Sequence, residues 1–233
     1  MNRVLLRRLA GTVCLGTVFL FPGVGGPLAA LAPVLDRDPY VNEVTSTSAT
    51  IVWHTQALTS STFGYGTDPE NPDGWNWIHF FAPERRHAVT LTDLAPNTVY
   101  YYGAGEGGGQ IPLYTGPEYR FRTAPADGNS PFSFFAVGDT GGGSPNQFAV
   151  ADRIDLANCD FGIHTGDVIY DNGEPANFQP RHFIPYAGFL RNTPFFTSAG
   201  NHDYQADFYT AGNAGVLGGY LDPFPLVHTH ADQ

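Results

Sequence analysis

Residues 132–147 read FSFFAVGDTGGGSPNQ, and this stretch decides the fold of the second half of the chain. The apolar run at its start predicts a strand that is buried on both faces, as the strands of parallel sheets are. A glycine loop follows, and Ser144, Pro145 and Gln147 then have the residue types of a capping box at the start of a helix. Another apolar run, residues 160–165, comes next. The order strand, glycine loop, helix, strand predicts an α/β domain.

Two later segments repeat this pattern, in which an apolar run ends in a glycine and then an oxygen-donor side chain. They are FGIHTGDVIYDN at residues 161–172 and FFTSAGNHD at residues 195–203. Asp139 and Asp167 are 28 residues apart and Asp167 and Asn201 are 34 apart, which is close to the length of one strand, crossover helix and strand. Ligands of open α/β sheets collect outside the carboxyl ends of the strands. The spacing therefore predicts consecutive βαβ units that bring the three donors to one metal site.

Each segment taken alone has a plainer interpretation. A Gly-Asp pair such as Gly138-Asp139 is common in turns, and Asp167 alone is equally typical of a helix or turn cap. Asn201 alone is equally typical of an Asx turn. The shared site is favoured because three unrelated turns need not have the same strand context, the same crossover spacing and oxygen donors at equivalent positions.

The first half of the chain, residues 36–124, predicts a small antiparallel sandwich. It contains short, often alternating runs separated by Gly, Pro, Asp and Asn. These runs are residues 41–44, 49–54, 61–65, 87–91, 99–104 and 119–123. Residues 94–102, LAPNTVYYY, resemble the Leu-x-Pro-x-Thr-x-Tyr-x-Tyr stretch of fibronectin type III domains, in which a tyrosine hydroxyl braces the turn into a strand. We expect Trp53 in the core of this sandwich.

The N-terminal residues predict a secretory leader. Arg3, Arg7 and Arg8 precede an apolar run at residues 9–21, and a stretch of small residues follows. The run is too short for a confident membrane span. We therefore predict a leader at residues 1–32, a fibronectin type III-like domain at 33–124, a linker at 125–131 and an α/β domain at 132–233. The mature protein is expected to be secreted or periplasmic, with no membrane association once the leader is removed.

The chain contains 22 acidic residues and 11 basic ones, all arginines, which gives a net charge of −11. Such an acidic exported protein is a poor candidate for binding nucleic acid or an anionic membrane. Cys14 lies in the predicted leader, so Cys159 has no partner for an intramolecular disulfide in the mature chain. We expect Cys159 to be a buried thiol, and a reactive role is less favoured because nothing basic flanks it.

In combination, three motifs resemble the calcineurin-like metallophosphoesterases and, among them, the purple acid phosphatases. The motifs are Gly138-Asp139-Thr140-Gly141, Gly166-Asp167-Val168-Ile169-Tyr170 and Gly200-Asn201-His202-Asp203. They match the first three of that family's five metal-binding motifs in order and spacing, and the sandwich in front matches the family layout. The resemblance implies an αββα metallophosphoesterase fold, of which this chain has the first half, and hydrolysis of small phosphorylated substrates.

The resemblance also assigns a role to each motif residue. Asp139 and Tyr170 are expected to bind the first metal of a binuclear centre, Asp167 to bridge both metals, and Asn201 to bind the second. A Tyr170 phenolate favours Fe(III) in the first position, and the second ion would be Zn, Mn or Fe. Two such ions can lower the pKa of a bound water, which attacks phosphorus as hydroxide in an in-line displacement. His202 is expected to be the catalytic histidine, which stabilises developing charge or protonates the leaving alcohol.

The remaining polar residues near the motifs have more open assignments. Asp203 is expected either to orient His202 or to be an exposed carboxylate in a turn. Five other histidines are expected to be packing or surface residues, although His164 can also support the site because it lies three residues before Asp167. These histidines are His54, His79, His87, His164 and His182.

The family's fourth and fifth motifs, which supply three histidines, have no match at the expected distance. Val227-His228-Thr229-His230 fits either histidine pattern only superficially, so we expect a truncated phosphatase with a frayed terminal tail.

The competing hypothesis is a non-catalytic secreted binding protein built on the sandwich, with a remnant phosphatase half. Trp75 and Trp77 would then offer an aromatic platform, although packing in a loop or between domains is favoured for both. The oligomeric state stays open.

Overall fold

The computed structural model describes residues 35–106, 115–128 and 130–203. The predicted leader and the terminal histidines His228 and His230 lie outside these residues. The described chain contains an antiparallel sheet followed by a three-stranded parallel sheet, which confirms the predicted order of an all-β part and an α/β part. Among the helices of these ranges, none is long and apolar enough to span a membrane.

The all-β part has five described strands. They are β1 Leu35–Val44, β2 Ala49–Gly66, β3 Asn76–Leu91, β4 Val99–Glu106 and β5 Arg120–Arg122. All pairings are antiparallel: β2 pairs with β1, β3 and β4, and β4 pairs with β5. The first half of β2 pairs with β1 and its second half with β4, so the long strand changes neighbour along its length and the sheet curls around one core.

The two runs expected at residues 49–54 and 61–65 form one continuous strand, β2. The register with β3 shifts between His54 and Thr59 and again between Thr59 and Ser61, and Leu58 in this bulge is exposed. A bulge keeps a strand continuous while it interrupts the alternation of side chains. This is why the sequence pattern indicated two strands here.

Trp53 lies in the core of the sandwich, as predicted, with 1% of its surface exposed. Its ring stacks on Phe63 at a centroid distance of 5.9 Å. The expected tyrosine brace is also present, because the Ala95 backbone N–H donates to the Tyr100 hydroxyl at 2.9 Å. The buried core comprises Val41, Ala49, Ile51, Trp53, Phe63, Val89, Leu91, Leu94, Tyr102, Ala104, Tyr119 and Phe121.

The α/β part is built on a parallel sheet in the order β6-β7-β8. Its strands are β6 Phe134–Val137, β7 Phe161–His164 and β8 Phe195–Thr197. Helix α1, Pro145–Ala157, connects β6 to β7. Between β7 and β8 the chain forms α2 Pro175–Phe178, a π-helical turn Gln179–Phe183 and α3 Ile184–Leu190. The predicted succession of βαβ units is confirmed.

Helix α1 begins at the predicted place, but the capping box is not formed. Ser144 is the extended residue before Pro145, and its side chain makes no capping hydrogen bond. Gln147 instead accepts from the Gly143 N–H at 2.7 Å and donates to the Arg181 carbonyl at 2.6 Å. The glutamine therefore ties the glycine loop to the π-helical turn.

Only one face of the parallel sheet is covered within the described ranges. Phe135 and Phe195 pack against the helices. On the other face Phe134 is 52% exposed and Ile163 is 37% exposed, and Phe134 stacks on Phe161 with ring centroids 5.5 Å apart. The expectation of strands buried on both faces thus holds for one face of the described sheet.

The two parts of the chain share packing. Tyr40 of β1 lies against Phe183, with ring centroids 5.1 Å apart, and the Tyr102 hydroxyl donates to the Arg191 carbonyl at 2.7 Å. Arg37, which is 7% exposed, places its guanidinium 3.7 Å from the centre of the Phe183 ring. The predicted domain boundaries stay a prediction.

Candidate metal centre

The loops that follow β6, β7 and β8 meet at the carboxyl edge of the parallel sheet. Asp139 and Asp167 begin the first two loops in the left-handed backbone region, with φ of 58° and 52°, a conformation that Asp tolerates better than most residues. The Asp139 N–H donates to the Gly166 carbonyl at 3.1 Å. The backbone therefore holds the two aspartates side by side.

Tyr170 completes this cluster. Its hydroxyl lies 2.8 Å from Asp139 Oδ1 and 3.0 Å from Asp167 Oδ2, within hydrogen-bond distance of both carboxylates. Tyr170 thus contacts both aspartates, and all three residues were predicted as metal ligands.

The chemistry of this donor set fits a hard cation, because two carboxylates and a phenol all offer oxygen atoms, which hard cations prefer as ligands. Within the residues that the structure describes, no three or more His, Cys, Asp or Glu side chains form a metal-binding group. Within the described residues, Tyr170 is thus the side chain whose oxygen lies beside both aspartates. Desolvation, followed by the hydrogen bonds to Asp139 and Asp167, raises the pKa of the Tyr170 phenol above its usual range.

The third loop reaches the same edge through its backbone. Asn201 begins a short 3₁₀ turn, Asn201–Asp203, and its side chain is exposed. The N–H of the next residue, His202, donates to Asp167 Oδ1 at 2.9 Å. The two oxygens of Asp167 therefore face different partners, Tyr170 and the third loop. Among the described contacts, Asn201 has no side-chain hydrogen bond to the aspartates.

The ring of His202 is held in one orientation. It lies on the Tyr170 ring at a centroid distance of 4.5 Å, and Nδ1 lies 2.7 Å from the Asp171 carbonyl oxygen. Since a carbonyl only accepts, Nδ1 has the proton in this contact. Among the described residues, the other ring nitrogen, Nε2, has no hydrogen-bond partner.

Asp203 differs from both expectations, since it neither contacts the His202 ring nor is exposed. Its carboxylate is fully buried and accepts from the backbone N–H groups of Val168 and Ile169 at 3.0 Å and of Gly200 at 2.7 Å. Desolvation raises the pKa of this carboxyl, and the three hydrogen bonds oppose that rise. Asp203 thus ties the third loop to the second.

His164, the last residue of β7, forms hydrogen bonds with both the first and the second loop. It is fully buried; Nδ1 accepts from the Gly166 N–H at 3.2 Å, so Nε2 donates to the Thr140 hydroxyl at 2.8 Å. Desolvation lowers its pKa to about 4, although the charges of Asp139 and Asp167 oppose the shift. The sequence pointed to this position only through its distance from Asp167, and it gave no sign of Thr140.

Glycines allow the loops to touch backbone to backbone. A Cβ on Gly200 would overlap the Asp167 backbone nitrogen and Oδ1, and a Cβ on Gly141 would overlap the Ile169 backbone. These two glycines therefore allow a close approach between loops.

The tryptophans do not form the exposed platform of the competing hypothesis. Trp75 is 7% exposed, and its Nε1 donates to the Asp68 carbonyl at 2.8 Å. Trp77 lies so close to β2 that a Cβ on Gly64 would meet its ring at 2.8 Å. Both rings pack within the all-β part.

Two family models match the chain in succession. Residues 39–123 match the purple acid phosphatase N-terminal domain, and residues 132–231 match the calcineurin-like phosphoesterases. The α/β fold and the cluster of Asp139, Asp167 and Tyr170 at the carboxyl edge of its sheet, called the metal edge below, are consistent with that class. The chain therefore belongs to the purple acid phosphatase family of calcineurin-like phosphoesterases. Membership of this family implies a binuclear metal centre.

Two curated relatives come from Arabidopsis thaliana. Purple acid phosphatase 17 is 36% identical over 95 residues, and purple acid phosphatase 3 is 35% identical over 103 residues. These matches cover 36% and 39% of this chain and 27% of each relative. The chain thus spans about a quarter of the length of the curated relatives it matches.

Solved structures support the fold. A purple acid phosphatase from yellow lupin seeds has a TM-score of 0.59 at 18% identity, covering 80% of this chain and 39% of the lupin chain. The structure of PhoD has a TM-score of 0.57 at 16% identity, covering 78% of this chain and 42% of PhoD.

Proposed function

We propose that this chain hydrolyses phosphoesters at the carboxyl edge of the β6-β7-β8 sheet. By family it is a phosphoric-ester hydrolase. The observation that supports an active site at this edge is the convergence of Asp139, Asp167 and Tyr170, with Tyr170 Oη 2.8 Å and 3.0 Å from the two carboxylates. Small phosphorylated molecules are the proposed substrates.

The residues proposed to hold the metals are Asp139, Asp167, Tyr170 and Asn201. Asp167 suits a bridging role because its two oxygens already face different sides, one toward Tyr170 and one toward the third loop. When bound, a pair of such ions activates water and neutralises charge on the phosphoryl group. We propose Fe(III) beside Tyr170 and Zn, Mn or Fe as the second ion.

His202 is proposed to act on the leaving group. The contact with the Asp171 carbonyl fixes Nδ1 as a donor, and the Tyr170 ring limits rotation of the imidazole. A protonated ring keeps this contact and has a second N–H, at Nε2, to donate. Nε2 would then stabilise charge on the phosphoryl oxygens or give its proton to the departing alkoxide.

The test compares Asp167→Ala with Asp152→Ala, which removes an exposed carboxylate on α1. Each chain is loaded with Fe, Zn and Mn, and its metal content and hydrolysis of p-nitrophenyl phosphate are measured. Asp167→Ala should lose its bound metal and at least about 100-fold of the rate, since even supporting residues of metal sites contribute on that order. Asp152→Ala should behave as the unchanged chain.

Unchanged metal content in Asp167→Ala would overturn the site assignment. Absence of metal-dependent hydrolysis from the unchanged chain would overturn the proposed activity.

A further inference from the structure

A polar cleft of about 120 Å³ lies at the end of the parallel sheet opposite the candidate metal centre. Asn158, Cys159 and Asp160 line one wall, directly before β7 begins, and Asn192 lies three residues before β8. The facing wall is formed by Arg120 and Arg122 of β5. The cleft is therefore at the amino ends of β7 and β8, whereas the metal edge is at their carboxyl ends.

The two arginines lack acidic partners. Arg120 Nη1 donates to the Pro117 carbonyl at 3.0 Å, and Arg122 Nη1 donates to Asn97 Oδ1 at 3.4 Å. Neither guanidinium has an ion pair with a carboxylate in the described part of the chain. Most of their N–H groups are therefore available to a bound molecule.

The other polar groups of the cleft add donors. The Asn192 side-chain oxygen accepts from the Thr193 hydroxyl at 2.7 Å, which leaves the Asn192 amide NH₂ to donate. Asp160 contributes a carboxylate, but its Oδ2 is occupied by the Ser133 N–H at 2.8 Å and the Ser133 hydroxyl at 3.0 Å. Two cations and one partly satisfied anion give the cleft a net positive charge.

We propose that this cleft binds a small tetrahedral oxyanion, phosphate or sulfate. Guanidinium groups match such anions through pairs of parallel hydrogen bonds. A cleft of about 120 Å³ has room for one small ion, since a cavity of about 10–15 Å³ already holds one water. The proposal does not rest on the phosphatase function proposed above.

Cys159 provides a local reporter because its thiol lines the cleft and is half-buried. Its alkylation by iodoacetamide is followed by peptide mass spectrometry, which separates it from Cys14. Phosphate or sulfate, compared with chloride at equal ionic strength, should slow this alkylation several-fold with a saturable dose dependence. The chain used has Asp167→Ala and is treated with chelator, so anion binding at the metal edge cannot contribute.

Phosphate or sulfate should protect Cys159 from alkylation less well in Arg120→Gln and in Arg122→Gln. Each variant should need an anion concentration about tenfold higher or more for the same protection, because it has lost a charged hydrogen-bond donor. Arg122→Lys, which keeps the charge at an exposed position, should weaken this protection less. Asp160→Asn should strengthen it. The control Arg85→Gln removes an exposed arginine of β3 and should leave protection unchanged. Equal protection by chloride, or an equal loss in Arg85→Gln, would show general ionic screening and overturn the proposal.

Discussion

Tyr170 is the residue on which the geometry of the metal edge depends most directly. Its hydroxyl lies within hydrogen-bond distance of the Asp139 and Asp167 carboxylates, and its ring packs against the ring of His202. One side chain thus positions both the ligand pair and the histidine proposed to meet the leaving group.

Replacement of this hydroxyl tests its role as a ligand. In the iron-loaded chain, Tyr170→Phe should abolish a visible phenolate-to-Fe(III) absorption band, because the variant keeps the ring and lacks the oxygen. Absorption spectra are recorded together with iron content, and Tyr101→Phe in β4 is the matched control. A band that persists in Tyr170→Phe at equal iron content would exclude Tyr170 as the iron ligand.

The sequence motifs predicted which residues come together at the candidate site, and they did not predict contacts made with backbone atoms. Asp139, Asp167 and Tyr170 were predicted together, and Tyr170 contacts both aspartates. The role of Asp203 was not predicted, because its partners are N–H groups some 35 residues earlier in the chain. The Asp171 carbonyl that orients His202 was missed for the same reason, since any residue type supplies a carbonyl.

At the level of the elements, the second and third loops form one unit. The Asp203 carboxylate satisfies three N–H groups, two of them in the loop after β7 and one in its own loop. It is fully buried, so no water can replace those acceptors without rearrangement. The distance between Asp167 and His202 therefore depends on a residue that does not itself face the site.

Asp203→Ala should destabilise the chain by at least about 2 kcal/mol, because buried N–H groups left without acceptors cost about 1–3 kcal/mol each. Urea unfolding measures this, and Asp203→Asn, which keeps one acceptor oxygen, should be intermediate. Asp152→Ala on α1 serves as the control. A loss under about 0.5 kcal/mol, typical of surface substitutions, would mean that Asp203 does not hold the loops together.

The elements themselves were predicted best where one physical signal dominates. Pro145 at the first helical position begins α1 as expected, and Asn158 in the left-handed conformation follows its last residue. Strand β2 was predicted as two strands because its bulge, where the register with β3 shifts, interrupts the alternation of side chains. Tertiary pairing, which a local pattern does not contain, decided the outcome there.

At the scale of the whole molecule, Arg37 and His54 connect the all-β part to the helical layer. Arg37 Nη1 lies 3.3 Å from His54 Nε2, and Arg37 Nε donates to Gln179 Oε1 at 3.1 Å. Burial, followed by the positive charge of Arg37, lowers the pKa of His54 to about 3. A protonated His54 would place two cations in contact at this junction.

The free energy of unfolding should therefore decrease as the pH is lowered. The folded pKa of about 3 lies below the usual 6.5, so between these values the folded state binds fewer protons than the unfolded state. The contribution is complete above about pH 6.5 and is lost at up to about 1.4 kcal/mol per pH unit as the pH falls. Urea unfolding of the metal-free chain from about pH 7 to about pH 5 measures the slope.

His54→Gln should reduce this slope, whereas Gln56→Ala, an exposed change in the same strand, should leave it as it is. Identical slopes in the unchanged chain and in His54→Gln would contradict the assignment of proton uptake to His54.

The contact of Gly200 with Asp167 has a consequence for protein engineering. Because a Cβ at position 200 would occupy the space of the Asp167 backbone nitrogen, the segment 161–172 cannot be transplanted into another scaffold alone. A recipient would have to receive residues 195–203 with it, including the glycine and the buried Asp203. The transferable module is thus a pair of segments distant in sequence, and directed libraries that vary one of them should hold the other constant.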